Sequence, residues 1–401
     1  MVASPRIHGE GNKLPTVLFL IAEDWNVVSH FSPVIREARA NGLDVVVATR
    51  VARHQAEIEG LGARVIPINI DPRTPSTTRN SALILALASL VRRERPDIVY
   101  CVTIRMCVIG GIAARIAGAR NLILAPTGLG HIWIVDGMRH RLVRGVTRNV
   151  LARILPLGCR TRYLFENDED PREIGLDERR HQFSIIGGAG VDPVEFPVTV
   201  EPASGPIKVA VVARMTRQKG IAESIAAIKA ARDKGTAIEL HLFGDPDKAN
   251  PSSLDAAGLQ RMAAANPGVT WHGGVADVAR IWREHHIAML LSYREGLPRS
   301  LIEAAACGRP IVTTDVVGCR TIVRNNIEGL LVPLGDIDAA ATALMKLAGD
   351  AQLRATLGAN ARARFEAKFT EAAVRETVGK LYRELIGDEK PSGSKRPVGS
   401  T

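Results

Sequence analysis

The chain has 401 residues, 46% hydrophobic and 23% charged, which is enough for two or three domains with their own cores. Five cysteines, an odd number with no C-x-x-C pair, argue against a disulfide framework or structural zinc, and no apolar run reaches the ~20 residues of a membrane span. A net charge of +10 points to an anionic substrate or membrane face, while an aromatic content of only 4% leaves few stacking platforms for nucleic acid.

Residues 1–15 are polar and expected to be loose. The apolar run Val17–Ala22 that follows is too short for a signal peptide. From there strands alternate with helices. Strands are predicted at Val17–Ala22, Leu43–Thr49, Arg64–Ile68, Ile98–Val102 and Asn121–Ala125, and helices near Ser32–Asn41, Ala52–Gly60, Thr78–Arg95 and Arg105–Ala117. Gly42, Pro96 and Gly118 stand at the helix ends. This alternation predicts an α/β domain with a parallel sheet covered on both faces.

Loops at the C-terminal ends of such strands are where ligands gather. The first carries Glu23-Asp24-Trp25 and Ser29-His30. The fifth is the Gly-rich run 128–137, with Gly128, Gly130 and His131. His30 and His131 are candidates for acceptor contact or proton transfer. A helix follows from about Arg139 to Leu155. Seven arginines and no acid lie between Gly137 and Arg162, and Val143, Val146, Val150 and Ile154 recur at spacings of three and four. That is a basic amphipathic helix. Its valine stripe is expected to pack, with Arg141, Arg144 and Arg148 as candidates for contact with an anionic membrane. In Phe165–Pro171, Asp168 and Asp170 are read as the acidic start of a short helix rather than a metal pair. Strands at 162–165 and 184–186 complete this half, and the Pro- and Gly-rich run 190–206 reads as a linker.

The alternation then restarts, with strands at Ile207–Ala213, Ile238–Phe243, Val269–His272, Ile287–Leu291, Ile311–Thr314 and Leu330–Val332. Two stretches carry chemistry. In V-V-A-R-M-T-R-Q-K-G, Arg214 ends the first of these strands and Lys219-Gly220 opens the next helix. Two cations five residues apart across a loop can converge on a diphosphate and stabilise charge as it develops there. In S-Y-R-E-G-L-P-R-S-L-I-E-A-A-A-C-G-R-P, an apolar strand runs through a loop holding Glu295, Gly296, Leu297 and Pro298 into an amphipathic helix carrying Glu303. A helix N-terminus favours an anion. Carboxylates beside such a site fit sugar hydroxyls, from which they accept hydrogen bonds. Gly244 and Gly273 end neighbouring strands and could let backbone approach a ligand.

The second stretch closely resembles the E-x7-E signature of retaining family-4 glycosyltransferases, and the first resembles that family's R-x4-K pair. The resemblance implies the GT-B architecture, two doubly wound Rossmann-like domains facing across a cleft. These would be an acceptor-side domain over 16–196, a linker over 197–206 and a donor domain over 207–369. A helix over 370–387 would return to the first domain, and a disordered tail would occupy 388–401. It further implies that Arg214 and Lys219 hold the donor diphosphate, Glu303 the ribose, and Glu295 the donor sugar. Gly296, Leu297, Pro298, Gly244 and Gly273 would line the donor site, with no metal and no cofactor. The E-D-W and T-G-L-G wording (Thr127–Gly130) resembles bacterial members that extend lipid-linked surface polysaccharide. The expected partners are therefore a nucleotide sugar, probed first as a UDP-sugar, a lipid-carrier-linked glycan, and the inner leaflet of the membrane, contacted peripherally from the cytoplasm. Two other readings are a UDP-sugar 2-epimerase on the same fold and a non-catalytic sugar-nucleotide-binding protein. The intact E-x7-E and R-x4-K pairs speak against both.

Overall fold

The computed structural model describes residues 14–69, 77–130, 133, 137–247 and 250–387. His131 and the predicted tail 388–401 lie outside the described residues, as does most of the loose N-terminal stretch.

The first half is built on β1 (Thr16–Glu23), β2 (Asp44–Arg50), β3 (Ala63–Pro67), β4 (Ile98–Val102), β5 (Asn121–Ala125), β6 (Arg160–Phe165) and β7 (Gln182–Ile185). Their order across the sheet is β3-β2-β1-β4-β5-β6-β7, with every neighbouring pair parallel. The central strands are apolar on both faces, and Val17 to Ile21 are fully buried, as helices on both sides of a parallel sheet require. The second half is built on β8 (Ile207–Val212), β9 (Ile238–Phe243), β10 (Val269–Gly273), β11 (Ile287–Leu290), β12 (Ile311–Thr314) and β13 (Gly329–Val332). Their order is β10-β9-β8-β11-β12-β13, also parallel throughout. Each sheet reverses its winding once, between β1 and β4 and between β8 and β11. At those two points the flanking loops splay apart and leave a crevice.

Helix starts in the second half are fixed by side chains. Asp255, Asp277, Asp336, Asp350 and Thr370 each accept a hydrogen bond from a backbone N–H in the first turn. Gly42, Gly118 and Gly308 follow their helices with φ of 75°, 79° and 71°, the left-handed conformation that closes a helix C-terminus.

The last helix, Glu371–Ile386, crosses back to the first half. Val374, Val378, Leu381, Tyr382 and Leu385 are buried in the same cluster as Phe19, Tyr100 and Val34. Each such side chain contributes about 1.5–3 kcal/mol by leaving water. Arg375 pairs with Glu37 at 2.9 Å, and Arg162 with Glu384. The two chain crossings lie side by side. Val191 N donates to Phe369 O at 3.0 Å and Glu371 N to Val191 O at 3.0 Å, forming a short two-stranded joint between the halves.

The basic helix departs from expectation. It runs over Met138–Asn149 and continues as a wide π-type turn to Ile154. Thr147, Val150 and Leu151 form its buried side, whereas Val143, Val146 and Ile154 are exposed, together with Met138 and Leu142. Of the predicted stripe only Val150 therefore packs. The helical period holds, but the covered side is the one carrying Thr147, Val150 and Leu151, and the helix leaves an apolar strip facing outward. Among the described residues, no helix is long and apolar enough to cross a membrane.

Candidate active site

The loops at the C-terminal edges of the two sheets face one another. From the first half come Trp25–His30 after β1, Thr103 after β4, Thr127–Gly130 after β5 and Glu166–Asp170 after β6. From the second come Ala213–Gly220 after β8 and Leu291–Pro298 after β11.

Lys219 and Glu295 meet in the second half. Lys219 Nζ donates to Glu295 Oε1 at 2.5 Å, and both side chains are largely buried. The geometry follows from Gly220. It holds φ +68° and packs so tightly that a Cβ there would stand 2.1 Å from the Leu291 carbonyl. Only glycine lets the β8 loop lie against the β11 loop and bring the two charges together. Arg214 is half-exposed, pairs with Asp247 at 2.6 Å, and holds its guanidinium 5.9 Å from the Trp25 ring of the opposite half.

Glu303 lies buried in helix Arg299–Ala306 and accepts from Arg299 Nε at 2.8 Å. Burial raises its carboxyl above the ordinary range, and Arg299 opposes that shift. Arg299 also donates from Nη1 to the Ser29 carbonyl at 2.6 Å, so the same side chain ties the helix start to the first half. Sequence reasoning passed over Arg299. The available signal was its position four residues before Glu303, the spacing of a helical ion pair.

His30 sits beneath these cations, its Nδ1 2.6 Å from Ser29 Oγ. Burial first, then the charges of Arg299, Arg214 and Lys219, push it down to about 4. The imidazole is therefore neutral at physiological pH. Three cations from two segments act on one uncharged ring, and each is already paired with a carboxylate, Lys219 with Glu295, Arg214 with Asp247 and Arg299 with Glu303. An anionic ligand could bridge Arg214 and Lys219 by taking the place of those carboxylates. Asp24, by contrast, is structural: its carboxylate accepts from the backbone N–H groups of Ala52, Arg53 and His54 at 2.6, 2.8 and 3.0 Å. Glu23 pairs with Arg50 at 2.5 Å. Of the E-D-W run, only Trp25 faces the cleft.

Gly296 is wedged between the halves. A Cβ on it would stand 3.0 Å from Glu166 Oε2 and from the Thr127 carbonyl, and 3.3 Å from Gly128 Cα. Gly128 holds φ +91° and Gly130 +69°. Leu297 is buried and reaches toward Gly188 of the joint, while the Pro298 carbonyl accepts from Leu301 N at 3.1 Å at the start of the helix. Thr103, also missed in the sequence, holds φ +75° at the end of β4, a strained conformation for a β-branched residue at a ligand-facing edge.

Gly244 and Gly273 lie farther along the same edge. Gly244 N donates to the Gly273 carbonyl at 2.7 Å, and a Cβ on Gly244 would stand 1.9 Å from the Ala213 carbonyl. Their close packing shapes the floor beside Arg214. Asp168 and Asp170 do not converge: Asp168 is exposed, while Asp170 is buried, bonded to Asn167 at 3.0 Å and 3.8 Å from Arg294. Asn167 Oδ1 caps the short helix by accepting from the N–H groups of Glu169 and Asp170. Among the described residues, no group of three or more His, Cys, Asp or Glu side chains is arranged to hold a metal ion.

Two family models match the chain. "Glycosyl transferase 4-like" covers residues 16–136, on the first sheet, and "Glycosyl transferases group 1" covers residues 206–350, on the second. The capsular polysaccharide biosynthesis glycosyltransferase CapM of Staphylococcus aureus is 25% identical over 367 residues, spanning 88% of this chain and 93% of CapM. The N,N'-diacetylbacillosaminyl-diphospho-undecaprenol alpha-1,3-N-acetylgalactosaminyltransferase of Campylobacter jejuni is 25% identical over 376 residues, spanning 90% of this chain and 96% of that enzyme. The crystal structure of Anabaena Alr3699/HepE in complex with UDP-glucose superposes with a TM-score of 0.73 over 92% of this chain and 99% of that one. At 16% identity that likeness is one of fold.

Proposed function

The chain belongs to the group 1 glycosyltransferases, with a family-4-like first half on the two-domain GT-B fold, and we propose that it moves a sugar, with retention, from a UDP-sugar to a hydroxyl of a lipid-carrier-linked glycan. The observation that carries this reading is the convergence of Arg214, Lys219 and Arg299 on the cleft beside Glu295 and a neutral His30. The lipid-linked acceptor is supported by the Campylobacter relative, whose name places its own acceptor on a diphospho-undecaprenol carrier. UDP is supported by the UDP-glucose bound in the Anabaena structure of the same fold.

In this reading the donor diphosphate bridges Arg214 and Lys219. The bond between the anomeric carbon and the phosphate oxygen breaks, and the charge that grows on the diphosphate is stabilised by these two cations. Lys219 turns from Glu295 toward the phosphate, freeing the Glu295 carboxylate for the donor-sugar hydroxyls. Glu303, held in place by Arg299, accepts from the ribose hydroxyls. The acceptor hydroxyl attacks the same face of the sugar, and its proton passes to the leaving phosphate. His30, neutral and low in basicity, serves as a hydrogen-bonding group at the acceptor side. The exposed strip of helix Met138–Asn149 holds the enzyme peripherally on the cytoplasmic leaflet.

A thermal-shift series over UDP and UDP-sugars tests the donor. A true donor at 100 times its dissociation constant adds about 2.7 kcal/mol of stability. UDP release from that donor should then require a lipid-linked acceptor. Conversion of UDP-GlcNAc alone to its 2-epimer would replace transfer by epimerisation. Absence of any shift with UDP or UDP-sugars would remove the donor assignment.

Transfer is also expected to proceed without a divalent cation, because Arg214 and Lys219 supply the positive charge that a metal would otherwise bring. Chelator-treated enzyme should keep its turnover. Loss of activity in EDTA, restored by Mn²⁺ or Mg²⁺, would overturn this.

A further inference from the structure

The segment after β6 grips the Glu295 loop of the opposite half. Glu166 Oε2 lies against Gly296, and Asn167 Nδ2 donates to the Gly296 carbonyl at 3.4 Å. Asp170 faces Arg294 at 3.8 Å, and Glu169 pairs with Arg320 at 3.3 Å. Glu166 is the acid of this clasp that has no ion-pair partner among the described residues. Its inner side meets Gly296, and its outer edge opens on a cavity of about 460 Å³ between the halves, lined also by Arg320, Arg364, Lys368 and Phe369.

We infer that Glu166 is a positioning residue for the transfer reaction: as a neutral acid it seats the Glu295–Gly296 loop against Thr127 and Gly128, and as an anion it repels Glu295 and opens the cleft. This rests on the proposed transfer only in that closure brings the first half, with its acceptor side, onto the donor held beside Glu295 and Lys219.

The surrounding charges favour the neutral form. Burial, then Asp170, then Glu295 push the Glu166 carboxyl up to about 8. Asp168 and Glu169 add acid from its own segment. Beneath it on β4 is the Tyr100 phenol, buried and itself raised by burial. The cations within reach are engaged elsewhere. Arg320 pairs with Glu169 and Asp315, Arg294 faces Asp170, and Arg364 donates to the Thr321 carbonyl. Lys368 lines the far wall of the cavity.

The sign of the linkage is fixed. In the open form Glu166 loses its cover under Gly296 and the charge of Glu295 but keeps Asp170 beside it, so it titrates below its closed-form value and above the ordinary glutamate value of about 4.3. In the closed form it titrates near 8. Between those values closing takes up a proton, so closure weakens up to about tenfold per pH unit as pH rises, and levels off above about pH 8.

The test is calorimetric titration of UDP into the full chain at pH 7 in two buffers of different ionisation enthalpy, with wild type, Glu166→Gln and Glu166→Ala. Wild type is expected to take up more protons on binding than either variant, by close to one, and Glu166→Gln should lose the fall in UDP affinity between pH 6 and 8. The Gln and Ala variants share every other contribution, including those of UDP and His30, so the difference belongs to Glu166. Equal proton uptake in all three proteins would overturn the inference. If UDP binds none of them, the donor assignment falls instead, and X-ray scattering of the free chain decides Glu166. Expansion between pH 5.5 and 8.5 in wild type but not in Glu166→Gln supports the inference. Identical profiles overturn it.

Discussion

Replacing Lys219 by alanine is expected to lower turnover about a hundred- to a thousandfold, the range found when a preorganised group facing developing negative charge is removed. The structure adds a complication. Lys219 is the ion-pair partner of Glu295, whose side chain is only 9% exposed. Alanine at 219 leaves that carboxylate unpaired, so stability falls as well as catalysis. The two effects separate in a double-mutant cycle. Lys219→Ala combined with Glu295→Gln should recover much of the lost melting temperature, because no charge is stranded, and none of the lost turnover. Arg214→Ala is the simpler variant. Its side chain is 53% exposed and its pair with Asp247 lies near the surface, so stability should change by no more than about 0.5 kcal/mol. Turnover should still drop at least tenfold, because the second cation of the clamp is gone. If both single variants work within a factor of about three of wild type, less than 1 kcal/mol of barrier, the diphosphate does not sit between these side chains.

Much of this site was legible because its chemistry is written in short local spacings. Arg214 and Lys219 flank one loop, and Glu295 and Glu303 are separated by the rest of one loop and little more than one helical turn. A strand followed by such a loop and a helix start dictates where the side chains go. The fold was legible for a related reason. Strands buried on both faces are continuous apolar runs, and Gly42 and Gly118 mark where helices must stop. What stayed hidden depends on contacts between the halves. The role of Glu166 depends on Gly296, which lies 130 residues later in the chain and packs against it. Arg299 reads as a helix-surface charge until its Nη1 reaches the Ser29 carbonyl. The basic helix misled for a different reason. Its period is helical, but periodicity names a face without saying which face is covered, and the covering residues are Thr147, Val150 and Leu151.

That uncovered face leads to the second large effect, loss of membrane binding when the helix loses its arginines. Met138, Leu142 and Val146 follow at intervals of four along Met138–Asn149, at 80%, 69% and 55% exposure. Three apolar side chains in a row on water, flanked by arginines, suit a lipid headgroup boundary. The helix follows the loop after β5, whose Thr127 and Gly128 lie against Gly296 at the cleft. Not every arginine is available. Arg148 donates to the Glu173 carbonyl at 2.6 Å, while Arg160 and Arg162 are bonded to Glu384 of the last helix. Arg139, Arg141 and Arg153 are exposed and form the better set to remove. Each arginine near an anionic leaflet contributes about 1 kcal/mol, so changing all three to glutamine should cost about 3 kcal/mol, on the order of a hundredfold in partitioning. Flotation with liposomes containing phosphatidylglycerol should recover wild type at low salt, lose it as salt rises, and leave the triple variant at the bottom of the gradient. A Leu142→Ser, Val146→Ser variant should also float poorly, but its residual binding should remain salt-sensitive, because its arginines are intact. If wild type stays unbound on anionic liposomes at low salt, or the triple variant floats as well as wild type, this face is ordinary solvated surface and the acceptor reaches the cleft from solution.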